Sequence, residues 1–209
     1  MFIERLKEKF NINEPIFTSE ILKMFSEFSR GYIFRLIDNA EKKGEIINFD
    51  SGVYYIPRKS MIGISTITAE DVVNKKYISY NGLVYGVYSG LNLQNKFSVT
   101  TQMPNVIEIV TNNETMRCRK IKIDGRTVIV RKSRCKIDSS NAKAYTVLQL
   151  LSEIGRIKDM DDEVKESITK YISDNNVKNA DLFSLAKFFP AQTTKNLIYS
   201  GVLNDFTQW

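Results

Sequence analysis

The sequence predicts an α+β protein: an N-terminal winged helix-turn-helix, then a mixed α/β domain with a small basic β-sheet and a helical C-terminus. Three observations predict it. Helix-spaced apolar residues with capping signals lead into a short hairpin at residues 45–56. Period-two runs joined by Asp124-Gly125 fill residues 106–131. Helical periodicity then returns from Asn141. We expect domains at 1–60 and 61–209, the second divided into a helix-and-strand part (61–140) and a helical part (141–209).

In order along the chain, Phe2, Leu6 and Phe10 at four-residue spacing predict a helix over 2–10. Pro15 interrupts it. Thr18 is expected to cap a second helix with Ile21, Leu22 and Phe25 as its apolar stripe. Ser26-Glu27-Phe28 makes a tight turn, and Ser29 caps a third helix that stops at Gly44, a residue suited to the left-handed C-cap. At about 100° per residue, Ile33, Leu36, Ile37 and Ala40 share one face, and Tyr32, Arg35, Asn39 and Lys42 the opposite one. The runs 45–49 and 53–56 flank Asp50-Ser51-Gly52 as the wing, with Arg58 and Lys59 just beyond.

Residues 57–65 read as the domain boundary. Thr68-Ala-Glu-Asp71 opens a helix with acids in its first turn. A further helix is expected over 83–94, where Gly86 and Gly90 leave room for another element to approach. Strands follow at 106–110, 118–123 and 127–131, the last two forming a hairpin around Asp124-Gly125. The alternation of basic and apolar residues slips between Arg119 and Lys120, where we expect a β-bulge. Apolar stripes then predict C-terminal helices carrying Ala144/Val147/Leu148/Leu151, Val164/Ile168/Ile172, Leu182/Leu185/Phe189 and Leu197/Ile198, with Pro190 separating the last two.

The chain of 209 residues has a net charge of +6. Residues 1–60 are nearly balanced, with 10 Lys/Arg against 9 Asp/Glu, while residues 61–140 carry 12 against 6. The excess concentrates in nine basic residues, Arg117, Arg119, Lys120, Lys122, Arg126, Arg131, Lys132, Arg134 and Lys136, with Asp124 the single acid in 117–136. Such a cluster suits an anionic partner, nucleic acid first, or forms a solvated sheet face.

The sequence contains no histidine and two cysteines, Cys118 and Cys135. Zinc sites of the common kinds, a disulfide framework and imidazole base catalysis are therefore not expected. We expect no cofactor, no metal, no membrane span and a cytoplasmic protein. An enzyme is disfavoured: Ser89 and Thr100-Thr101 lack a visible base and read as cap and turn residues, and the acid-rich run 159–163 reads as helix N-terminal charge.

One segment is more specific. The run YGVYSGLNLQNKFSVTTQMPNVIEIVTN (85–112) resembles the core signature of the AbiEi-like antitoxins of AbiE-type, or type IV, toxin–antitoxin systems. The strands RCRKIKIDGRTVIVRK (117–132) and the helix VLQLLSEIG (147–155) are similar to the parts that follow in that family, so the resemblance covers nearly the whole chain. Phe97-Ser98 departs from the Gly-Leu often found there. The resemblance implies two activities. The winged helix would bind inverted repeats in the operon's own promoter DNA and repress it, as a monomer or weak dimer or as cooperating monomers. The C-terminal domain would neutralise a nucleotidyltransferase-like toxin, usually without a stable complex.

On this reading Ser29 caps the recognition helix. Arg30, Tyr32, Arg35 and Asn39 enter the major groove, where arginine suits guanine and asparagine adenine. Lys42, Lys43, Arg58 and Lys59 hold phosphates. The cluster at 117–136 extends the DNA footprint or serves the antitoxin function by meeting an acidic or RNA partner. The alternative from another class is a protein-interaction module with a vestigial winged helix, in keeping with the near-neutral charge of residues 1–60.

Overall fold

Short helices alternate with small sheets through residue 132, and the described residues beyond it form four helices. The computed structural model describes residues 2–61, 63–155, 161–201 and 203. Contacts divide the chain into two compact units: the residues up to Lys75 together with Ile123–Gly125, and Lys76–Lys122 together with the residues from Arg126 on.

The first unit begins with α1 (Phe2–Lys9), β1 (Ile16–Phe17), α2 (Thr18–Met24) and α3 (Arg30–Lys42). Thr18 does not cap α2. It is the first helical residue, and its backbone N–H and hydroxyl both donate to the Gly52 carbonyl, at 2.9 and 3.1 Å. Glu20 instead receives the Phe17 N–H at 2.9 Å. Strands β2 (Ile47–Asp50) and β3 (Val53–Tyr55) form the expected hairpin, with a bulge between Asn48 and Asp50. β1 pairs antiparallel with the other edge of β3, a two-residue strand too short for its sequence to announce. The core joins Leu6, Phe10, Ile16, Ile21, Phe25, Ile33, Ile37 and Ala40 with Ile46 and Ile56.

The first unit extends beyond the expected boundary at 57–65. β4 (Lys59–Ser60) pairs with β5 (Gly63–Ile64), and α4 (Ala69–Val73) starts at Thr68, whose hydroxyl accepts the Asp71 N–H while Asp71 accepts the Thr68 N–H. Lys75 fixes the end of this segment. It is buried, with Nζ 2.9 Å from Glu14 Oε1, 3.2 Å from Glu20 Oε1 and 2.6 Å from the Pro15 carbonyl. A buried ammonium needs such partners, and they lie about sixty residues earlier in the chain.

In the second unit the helix expected over 83–94 is absent as such. Its first half is strand: β6 (Ser79–Tyr80) pairs with β7 (Leu83–Val84), and β8 (Gly86–Ser89) joins the main sheet. Only Gly90–Lys96 is helical, as α5. The two glycines explain the outcome. A β-carbon on Gly86 would lie 2.0 Å from the Tyr77 carbonyl oxygen. At Gly90, where φ is +60°, it would lie 2.3 Å from Glu108 Oε1. Both positions need glycine because another segment crosses there.

The main sheet combines β8, β9 (Val106–Thr111), β10 (Cys118–Ile123) and β11 (Arg126–Lys132) in the order β10-β11-β9-β8. β9 and β11 are parallel, and β8 and β9 antiparallel. Asp124 and Gly125 form the predicted turn with φ of 47° and 75°, the two left-handed residues a tight hairpin requires. In β10, Cys118, Arg119 and Lys120 are all exposed, and alternation runs only from Lys120 to buried Ile123. Cys118 thus does not face inward as the expected bulge supposed.

The helices are α6 (Ala142–Glu153), α7 (Asp162–Asp174), α8 (Asn179–Ala186) and α9 (Ala191–Tyr199). α6 is central, packing on β8, α7, α8 and α9, so it buries Tyr145, Thr146, Gln149 and Leu150 in addition to the predicted stripe. Asn196 of α9, fully buried, donates to the carbonyls of Leu151 and Ile154 and so satisfies the end of α6. Asp161 caps α7 by accepting the Val164 N–H; Asp159 and Met160 of the acid-rich run lie outside the described residues. Leu197 is buried, whereas Ile198 is exposed and leaves the predicted stripe.

Candidate nucleic-acid interface

The third helix carries the first group of candidate residues. Ser29 Oγ accepts the Tyr32 N–H at 3.3 Å, the cap predicted from the sequence. Gly44 takes φ +63°, its N–H donating to the Glu41 carbonyl and the Glu45 N–H to that of Ala40, the pair of bonds that closes a Schellman C-cap. With both ends fixed and Ile33, Ile37 and Ala40 buried, the opposite face is set. Arg30, Tyr32, Arg35, Asn39, Lys42 and Lys43 are all exposed.

These side chains are not equally available. Lys42 Nζ sits 2.6 Å from Asp38 Oδ2, an exposed i,i+4 pair of the weak kind that a phosphate can displace. The Arg30 guanidinium lies 5.6 Å from the Phe34 ring centroid. Arg35 and Lys43 have no ion pair among the described residues.

Arg58 and Lys59 are exposed, but Lys59 is on β4, in a second small hairpin, and not on the β2–β3 wing. That second hairpin returns to α3, since a β-carbon on Gly44 would sit 3.7 Å from Lys59 Nζ. Its ammonium therefore stands at the C-terminal, partially negative end of α3.

A feature beside α3 was not anticipated. A groove of about 570 Å³ runs between α1 and α3, lined by Phe2, Ile3, Phe25, Tyr32, Leu36 and Asn39 among others. Phe28 stacks at a tilt on Tyr32, with ring centroids 5.2 Å apart, and both are exposed. The sequence signal was there: Phe28 and Phe34 fall outside every buried stripe.

The basic cluster at 117–136 belongs to the second unit except for its turn. Arg119 and Arg131 meet acids. Arg119 Nε donates to Glu114 Oε2 at 2.7 Å, and Arg119 Nη2 reaches the Tyr77 hydroxyl at 3.4 Å. Glu114 is buried, and backbone N–H donors, Met116 foremost, hold its carboxyl below the usual range. Arg131 donates to Glu108 Oε2 at 2.9 Å, and this bond raises its pKa further.

Arg134 lies over the Phe189 ring, and Arg126 is half-buried. Arg117, Lys120, Lys122, Lys132 and Lys136 are exposed. The fold thus adds Glu108 and Glu114 to a region whose sequence window held one acid.

Near β8, Glu153 lies within reach of the Glu108 charge. Glu153 accepts Gln149 Nε2 at 2.8 Å and the Gly90 N–H at 2.9 Å. Burial, with a smaller push from Glu108, raises its pKa. Ser89, expected as a cap, has a buried hydroxyl that makes no cap bond. Thr100 does act as a turn residue, accepting the Gln102 N–H. Among the described residues no group of three or more His, Cys, Asp or Glu could hold a metal. No described helix is long and apolar enough to cross a membrane.

A family model described as a family of unknown function, DUF6088, matches residues 16–180. The chain belongs to that family. No curated protein matches it. The DUF6088 match begins at β1 and ends in α8, so it takes in α3, the glycine-dependent strand β8 and the whole main sheet.

Proposed function

We propose that this protein is a DNA-binding antitoxin and autorepressor of a type IV toxin–antitoxin operon, acting in the cytoplasm, with the first unit as a winged helix-turn-helix. The observation that carries the DNA reading is α3: it is capped at both ends, packed on one face, and presents Tyr32, Arg35 and Asn39 together on the other. Arg35 and Asn39 can each make paired hydrogen bonds to a base edge, worth about 1–3 kcal/mol of discrimination. Lys43, Arg58 and Lys59 are exposed and supply phosphate contacts; Ser29 leaves the first amides of α3 pointing out at a backbone.

The toxin-neutralising half of the proposal rests on the resemblance of residues 85–155 to the AbiEi-like antitoxins. The exposed cations of the second unit, Lys120 and Lys122 foremost, are its candidate contacts.

The test is a gel-shift titration of the operon's promoter. Wild-type protein should bind the inverted repeats with a steep salt dependence, and Arg35→Ala should lose about tenfold or more in affinity. Equal binding by the variant would remove α3 from the interface.

The groove between α1 and α3 favours a second reading, a protein-interaction module. An apolar concavity edged by exposed Phe28 and Tyr32 suits a side chain better than a phosphate. DNA binding insensitive to salt, or absent, together with loss of a protein partner in Phe28→Ser, would select that reading.

A further inference from the structure

The second unit contains a pocket that neither the DNA reading nor the antitoxin reading uses. It is an open pocket of about 240 Å³ between β8, α5, α6 and α7. Val87 and Leu93 form an apolar floor, Ala142 and Thr146 one wall, and Tyr171 another. Lys96 and Lys143 line it as well, and both are exposed, so their ammonium groups stand at the rim. Neither has a carboxylate partner among the described residues. Lys96 Nζ lies 5.2 Å from the centroid of the Tyr171 ring, which holds that charge over the opening.

We propose that this pocket binds a nucleoside monophosphate, the base entering between Val87, Leu93 and Tyr171 and the phosphate resting on Lys96 and Lys143. Three features select this class of ligand. The volume is below the roughly 300–1,000 Å³ of pockets for drug-sized ligands, so it takes a single base and excludes a dinucleotide. A flat apolar body matches the Val87 and Leu93 floor beside Tyr171, whose ring Lys96 overlies. Two unneutralised ammonium groups match a phosphate dianion and would repel a cation.

The interior also offers polar edges to a base. Tyr171 is half-buried, and its phenol, whose pKa burial raises, pairs with the Thr146 hydroxyl and offers a base its remaining hydrogen-bond capacity. Thr146 adds a hydroxyl that already donates to the Ala142 carbonyl at 2.8 Å and keeps acceptor capacity. The walls come from four elements brought together by the main sheet and α6. β8 contributes because Gly86 lets it lie against Tyr77.

Calorimetric titration of the full chain with AMP, adenosine and inorganic phosphate tests the proposal. AMP should bind with one-to-one stoichiometry and adenosine at least tenfold more weakly. The double variant Lys96→Gln/Lys143→Gln, altered only at exposed positions, should lose at least tenfold for AMP with an unchanged melting curve. Its promoter binding should equal wild type, which separates failure here from failure of the DNA reading. No AMP binding, AMP affinity unchanged in the double variant, or phosphate binding as tightly as AMP would each overturn the site.

Discussion

Lys75 shows how one residue can set a boundary. Its ammonium is buried against Glu14, Glu20 and the Pro15 carbonyl, with the Phe10 and Phe17 rings around it. Removing only the cation leaves two poorly solvated carboxylates with their N–H donors but without the ammonium that balances their charge. Lys75→Met should therefore cost about 3–5 kcal/mol, read as a lower urea midpoint. Gly86 makes a similar case through sterics. A methyl group there collides with backbone oxygen, which cannot rotate away, so Gly86→Ala should cost about 3 kcal/mol.

Glu153 gives a residue-level pH prediction. Its folded pKa lies above the ordinary carboxylate value because burial penalises the charge. The folded state then holds more protons than the unfolded state in that interval. Its contribution to stability falls as pH rises from the ordinary carboxylate value through the raised one. In Glu153→Gln that contribution should disappear, and melting temperatures across the interval should flatten relative to wild type. Glu114 acts oppositely: its lowered pKa adds stability above the ordinary range that is lost as pH falls through the folded value.

At the scale of elements, α3 was legible because its signals are local. Ser29, Gly44 and the apolar stripe act within a few residues of one another; both caps form as predicted and Ile33, Ile37 and Ala40 are buried, while Leu36 is only half-buried and lines the groove. Ser29→Ala should destabilise the first unit by about 1 kcal/mol while leaving base contacts in place. Lys43→Gln should lower the salt-dependence slope of promoter binding by about 1 and weaken all sequences alike. The segment 83–94 failed for the converse reason. Its glycines were expected to let another element approach, and they do, but within a strand and at a helix start; the partners, Tyr77 and Glu108, lie in no local window.

At the scale of the whole molecule, the charge map changed most. In sequence, residues 117–136 are an almost unrelieved run of cations. In the fold, Arg119 and Arg131 are answered by Glu114 and Glu108, and the exposed charge is left to the lysines, Arg117 and Arg134. On the proposed function, Lys120→Gln/Lys122→Gln should impair rescue from the toxin while promoter binding and melting temperature stay at wild-type values; a growth-rescue assay beside the gel shift measures both.

The sequence by itself determined the caps of α3, the turns at Gly44 and Asp124-Gly125, the buried stripes of most helices and the outward face of α3. In each case the deciding interaction spans only a few residues, so a short window contains all its physics. Only the tertiary structure decided that β8 is a strand, that β9 and β11 run parallel, that Lys75 closes the first unit and that Lys96 and Lys143 flank one pocket. Those outcomes depend on groups far apart in the chain, whose sterics and charges meet only after it has folded.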